Sequence, residues 1–90
     1  MRRCPKVGDR VRYPGGLTVG ACEGTVVAIY PQFEPDAFEG RPTGKVLPES
    51  QWHVGVRVDR LPVPWCYDDS DRFAPAVAVL RPVARSRRAA

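Results

Sequence analysis

Proline and glycine punctuate this sequence so often that long helices have no room in it. Ten prolines and eight glycines are scattered between short apolar runs. A proline inside a helix removes a backbone donor and clashes with the preceding turn, so strands and turns are what remains. At 90 residues the expectation is one domain burying about 60% of its unfolded surface, too little for a deep enclosed site. A hydrophobic share of 43% beside 27% charged residues is that of a folded domain, not of a disordered one.

The clearest strand is Gln51-Trp52-His53-Val54-Gly55-Val56-Arg57-Val58-Asp59. Trp52, Val54, Val56 and Val58 alternate with the rest, which predicts one core face and one wet face carrying His53 and Arg57. Val7 to Tyr13 predicts a first strand with Val11 and Tyr13 on one side and Arg10 and Arg12 on the other. Pro14-Gly15-Gly16 stops it, and residues 17–22 read as a loop or bent edge. Gly24-Thr25-Val26-Val27-Ala28-Ile29-Tyr30 is β-branched and nearly continuously apolar, a strand covered in part on both faces. Residues 31–50 lose any period and read as a long loop anchored by Phe33 and Phe38; loops of that length usually have a task. After a proline-rich stretch and the acidic turn Asp68-Asp69-Ser70-Asp71 come a short strand at 72–74, a single helical turn at 75–78 and a last strand at 79–83. The acidic turn lacks the glycine and the terminal glutamate of a calcium loop, so a solvated turn is expected.

Five short strands, a long loop after the second and a single helical turn before the last are the order of a five-stranded SH3-like barrel, an all-β fold that leaves few open edges. It is expected over residues 7–83, with a basic arm at 1–6 and a basic flexible tail at 84–90.

Charge is unevenly placed. The net charge is +4, yet ten acidic residues stand against seven basic ones between Asp9 and Arg72, while Arg2, Arg3, Lys6, Arg81, Arg85, Arg87 and Arg88 lie at the ends. Positive charge therefore belongs to the ends, and the body is acidic. Cys4, Cys22 and Cys66 are odd in number, widely spaced and without a Cys-x-x-Cys pair, which predicts neither a disulfide framework nor a metal site. No apolar run approaches the ~18 residues of a membrane span and no signal-peptide core follows Met1, so a cytoplasmic protein is expected.

Over nearly its whole length the sequence resembles the SH3-like barrel of the nitrile hydratase beta subunit. The matching pieces are Val7-Gly8-Asp9-Arg10-Val11-Arg12, Glu23-Gly24-Thr25-Val26-Val27, Pro35-Asp36 with Gly40, Pro48-Glu49, and Val79-Leu80-Arg81-Pro82. That family's metal is held by cysteines of a separate alpha subunit, and no such cluster stands here. The resemblance implies an accessory, partner-binding role without catalysis by this chain. The first strand and Ala76-Val77-Ala78-Val79-Leu80 are also similar to the plasmid-borne type II dihydrofolate reductase, a reductase by virtue of its tetrameric pore. Its pore-lining Val-Gln-Ile-Tyr segment is replaced here by Asp71-Arg72-Phe73-Ala74. Gly8-Asp9-Arg10-Val11 and Gly24-Thr25-Val26 resemble the KOW and CarD-like transcription-associated barrels over the first third of the chain.

Taken by themselves, the residues offer one histidine, no nucleophile elbow and no phosphate-cradling loop, so no catalytic residue and no cofactor are expected. The first functional reading is docking on a protein through Trp65 and Tyr67 of the Pro-Trp-Cys-Tyr turn and Phe38 and Phe33 of the long loop. An aromatic cage with Asp68 or Asp69 as counter-charge is the same surface in another form. The alternative is nucleic-acid binding by outward Arg10, Arg12 and Arg57 with the tail's Arg85, Arg87 and Arg88, assisted by stacking on Tyr30, Trp65 or Tyr67.

Overall fold

The computed structural model describes residues 1–35 and 42–83; Phe38, Arg85, Arg87 and Arg88 lie outside them. The strands are β1 (Arg10–Tyr13), β2 (Cys22–Tyr30), β3 (Phe33–Pro35), β4 (Pro42–Val46), β5 (His53–Val58), β6 (Arg72–Phe73) and β7 (Arg81–Pro82). Two short 3-10 turns, Glu49–Gln51 and Val77–Val79, complete the described elements. Five strands form one antiparallel sheet in the order β6-β5-β2-β1-β7, and β3 and β4 form a separate ribbon.

The alternating segment lies in this sheet as its period requires. Val54, Val56 and Val58 of β5 are buried and Arg57 is exposed. Residues opposite one another on antiparallel strands share a face, so the register carries that division across the sheet. Val26 faces Val56 and Ile29 faces Val54, whereas Ala28 faces Gly55. Val27 is thus the extra residue of a β-bulge, which bends β2 and keeps apolar residues on the inner face on both sides of the bend. The core consists of Val11, Val19, Val26, Val54, Val56, Val58, Phe73, Val77 and Leu80, mostly β-branched residues suited to a pleated surface. Met1, Cys4, Tyr13, Cys22, Ile29, Trp52 and Trp65 pack around it.

Two connections complete the body. The Val77–Val79 turn is tied to the start of β5 by Val77 N–H to the Trp52 carbonyl at 2.8 Å and Val54 N–H to the Pro75 carbonyl at 3.1 Å. The stretch between β5 and β6 folds back on the β1–β2 connection, where Gly20 N–H donates to the Pro64 carbonyl at 2.7 Å. A Cβ at Gly20 would lie 2.5 Å from the Val63 carbonyl oxygen, so only glycine permits that approach.

The structure departs from the sequence reading in three places. Part of the segment expected as a loop over 31–50 is a β-ribbon followed by a 3-10 turn, with Phe33 opposite Val46 and Pro35 opposite Pro42. Prolines are tolerated on such edge strands, which need no ladder donor on their open side. Phe33 is exposed and sits outside the core cluster, so it does not anchor the ribbon to the body; Trp52 does so, its indole N–H donating to the Leu47 carbonyl at 2.9 Å. The expected helical turn at 75–78 forms two residues later, which shortens the last strand to Arg81–Pro82.

Candidate functional site

Four aromatic residues gather at one end of the inner face. β1 delivers Tyr13 and β6 delivers Phe73, and their rings meet edge to face at 5.1 Å. Trp65 lies against Phe73 at 5.6 Å and against Tyr67 at 5.3 Å, both edge to face, the arrangement favoured by the ring quadrupoles. Half-buried Trp65 spends its polar edge inside the chain: Nε1 donates to the carbonyls of Tyr67 at 2.9 Å and Ser70 at 3.0 Å. It is therefore a strut for residues 65–70, with Ser70 N–H closing the turn on the Tyr67 carbonyl at 3.2 Å.

Tyr67, 43% exposed, is the aromatic of this turn that faces solvent. Partial burial, with the adjacent Cys66 thiol, raises its hydroxyl above the ordinary value, so it stays neutral at physiological pH. Between Tyr67 and the Val77–Val79 turn runs an open groove of about 270 Å³, walled by Tyr13, Phe73, Thr18 and Val19 and by Ala74 to Ala76, with Val79 at its lip. Among the described residues none that lines it is charged. The turn that Tyr67 begins carries Asp68 and Asp69, both exposed, with Asp69 in the left-handed region at φ 58°. A larger concavity of about 470 Å³ beside Met1, Val79 and Arg81 has no aromatic wall among the described residues.

The outer face is the second surface. Arg72, Arg57, Thr25 and Arg10 form one row across β6, β5, β2 and β1, and Arg12 lies opposite both Glu23 and Arg81. Like charges directly opposite repel, and carboxylates are interleaved to offset this. Arg10 makes a two-pronged pair with Asp59, Arg12 meets Glu23 at 2.8 Å, and Arg72 approaches Asp71 at 3.9 Å. The structure thus brings Arg10, Arg12 and Arg57 onto one face, but two of the three are already engaged. His53, expected to be solvated on this face, is half-buried, and its Nδ1 donates to the Ala74 carbonyl at 2.9 Å. Tyr30 is 49% exposed.

No family model, curated protein or solved structure matches the chain.

Sequence reasoning missed Tyr13, Phe73 and Val79 as parts of the groove. Alternation assigned Tyr13 to the core and nothing in it marks which end of the core stays open. Among the described residues no group of three His, Cys, Asp or Glu side chains gathers to hold a metal ion. Cys4 and Cys22 are half-buried thiols, which burial pushes up from their ordinary value, and Cys66 is exposed. No helix among the described residues is long and apolar enough to cross a membrane.

The Arg10–Asp59 pair gives a pH-dependent expectation. The hydrogen bonds from Arg10 hold the Asp59 carboxyl below its ordinary value. A carboxylate with a depressed folded-state pKa stabilises fully above its unfolded value, near ~4, and that contribution disappears as pH falls through the folded value. Both side chains are more than a third exposed, so screening limits the gain to about 0.5 kcal/mol. Urea midpoints of the protein and its Asp59→Asn variant should differ slightly at pH 7 and low salt and converge by pH 2.

Proposed function

We propose that this chain is an SH3-like barrel acting as a non-catalytic binding module in the cytoplasm, docking a protein partner through the groove between Tyr67 and the Val77–Val79 turn. The barrel reading is supported by the strand order, the bulge that lets β2 serve two halves of one sheet, and the 3-10 turn before β7. The resemblance to the nitrile hydratase beta subunit barrel points the same way. The observation that carries the docking reading is a groove whose described lining residues are uncharged and include three aromatics, one of them a 43% exposed tyrosine on a turn braced by Trp65. Aromatic side chains in pockets are the usual anchors of protein interfaces.

The nucleic-acid alternative is favoured by the row of Arg72, Arg57 and Arg10 on the outer face. The carboxylates of Asp59, Glu23 and Asp71 within that face oppose a phosphate backbone. The two readings separate in a capture experiment from nuclease-treated cytosol using the full chain, Tyr67→Ala and Arg57→Glu. The expected result is a protein retained after nuclease, lost with Tyr67→Ala and kept with Arg57→Glu. Retention that vanishes with nuclease or with Arg57→Glu would transfer the function to the outer face.

A further inference from the structure

Resting on the docking reading, we infer that the Tyr13–Tyr67–Phe73 groove receives a cationic side chain, lysine or arginine, from an extended segment of the partner. Among the described residues no basic side chain lines the groove to repel a cation. Three of its lining residues, Tyr13, Tyr67 and Phe73, are aromatic, and a cation is drawn to a ring face within about 6 Å of its centroid. The Tyr67 hydroxyl is held neutral, so the ring stays an ordinary tyrosine. At the same end of the domain the turn following Tyr67 puts Asp68 and Asp69 in solvent, and neither makes an ion pair among the described residues.

The neighbouring basic residue is directed elsewhere. Arg72 precedes Phe73 on β6 and therefore faces the outer side, opposite Arg57 and beside Asp71. The arginines of β1 and β5 lie on that same outer side. The outer face thus holds the arginines of the sheet, while Asp68 and Asp69, on the turn that follows the groove residue Tyr67, make no ion pair among the described residues. A neutral or acidic segment would leave Asp68 and Asp69 unanswered, while a basic one complements both the rings and the carboxylates.

The test uses the isotope-labelled full chain and three capped five-residue peptides that carry lysine, trimethyl-lysine or norleucine at the centre of an otherwise neutral sequence. Two-dimensional NMR should show the lysine and trimethyl-lysine peptides shifting the backbone signals of Tyr13, Tyr67 and Phe73. The norleucine peptide, equal in its aliphatic stem but uncharged, should bind about two- to five-fold more weakly. The Asp68→Asn/Asp69→Asn variant should weaken lysine binding by a similar factor with an otherwise unchanged spectrum. Asparagine tolerates the left-handed backbone of position 69 as aspartate does, so its loss of binding reports charge and not a misfolded turn. Equal binding of norleucine and lysine would overturn the cation assignment while leaving the groove as the docking surface. Absence of any groove shift with the lysine peptides would also overturn it, and the capture experiment with Tyr67→Ala then decides the docking reading separately.

Discussion

Gly24→Ala is expected to be among the most damaging single methyl additions this fold can receive, costing about 3 kcal/mol. Gly24 is buried in β2 between Val11 of β1 and Val58 of β5. A Cβ there would lie 2.4 Å from the Arg57 carbonyl oxygen and 2.6 Å from Val56 Cγ1. The first of these is backbone in the central strand pair, so relief requires β2 and β5 to part. A domain of this size has a total stability of roughly 5–13 kcal/mol, of which that is a large share. Gly55→Ala, on the other face of the same pair, supplies the contrast. Its Cβ would meet Ala28 Cβ at 3.3 Å and the Tyr30 ring at 3.5 Å, and exposed Tyr30 has room to turn aside, so about 1 kcal/mol or less is expected. Urea unfolding of both variants measures the difference; equal midpoints would mean that the β2–β5 packing is not as described.

Trp65→Ala is expected to cost about 2–3 kcal/mol, below the full ~3–5 of a completely buried tryptophan because the ring is half-buried. It removes the ring contacts with Phe73 and Tyr67 and leaves the carbonyls of Tyr67 and Ser70 without their indole donor. Trp65→Phe keeps a ring and loses the two hydrogen bonds, for about 1 kcal/mol. Thermal unfolding of the two variants should therefore rank them in that order. A Trp65→Ala protein as stable as the parent would refute the strut. This ordering also changes how a binding defect is read. A loss of partner binding in Trp65→Ala is expected to come from dismantling the turn, whereas in Tyr67→Ala it would come from removing a contact surface from a turn that remains.

The period of two in residues 51–59 has only one reading, and β5 follows it. The bulge at Val27 could not be read, because the run Val26-Val27-Ala28-Ile29 is apolar throughout and shows no change of phase. The ribbon at β3 and β4 was hidden for a related reason: strands this short, with proline at their ends, carry no alternation to detect. Trp65 stands in a proline-rich stretch without a period, and its orientation follows instead from the ring contacts with Phe73 and Tyr67 and the hydrogen bonds to the Tyr67 and Ser70 carbonyls. The groove itself is assembled from residues far apart in sequence, Tyr13, Tyr67, Phe73 and Val79 among them. Tyr13 and Phe73 were legible as strand residues, but the opening between them and the Val77–Val79 turn exists only once residues 65–70 have folded back.

The groove, and not the arginine face, is expected to meet the partner. Chemical-shift mapping of the labelled full chain with the captured protein tests it most directly. Perturbations are expected at Thr18, Val19, Tyr67, Phe73 and Ala76, with Arg10, Thr25 and Arg57 unmoved. Perturbations confined to Arg10, Thr25, Arg57 and Arg72 would contradict it.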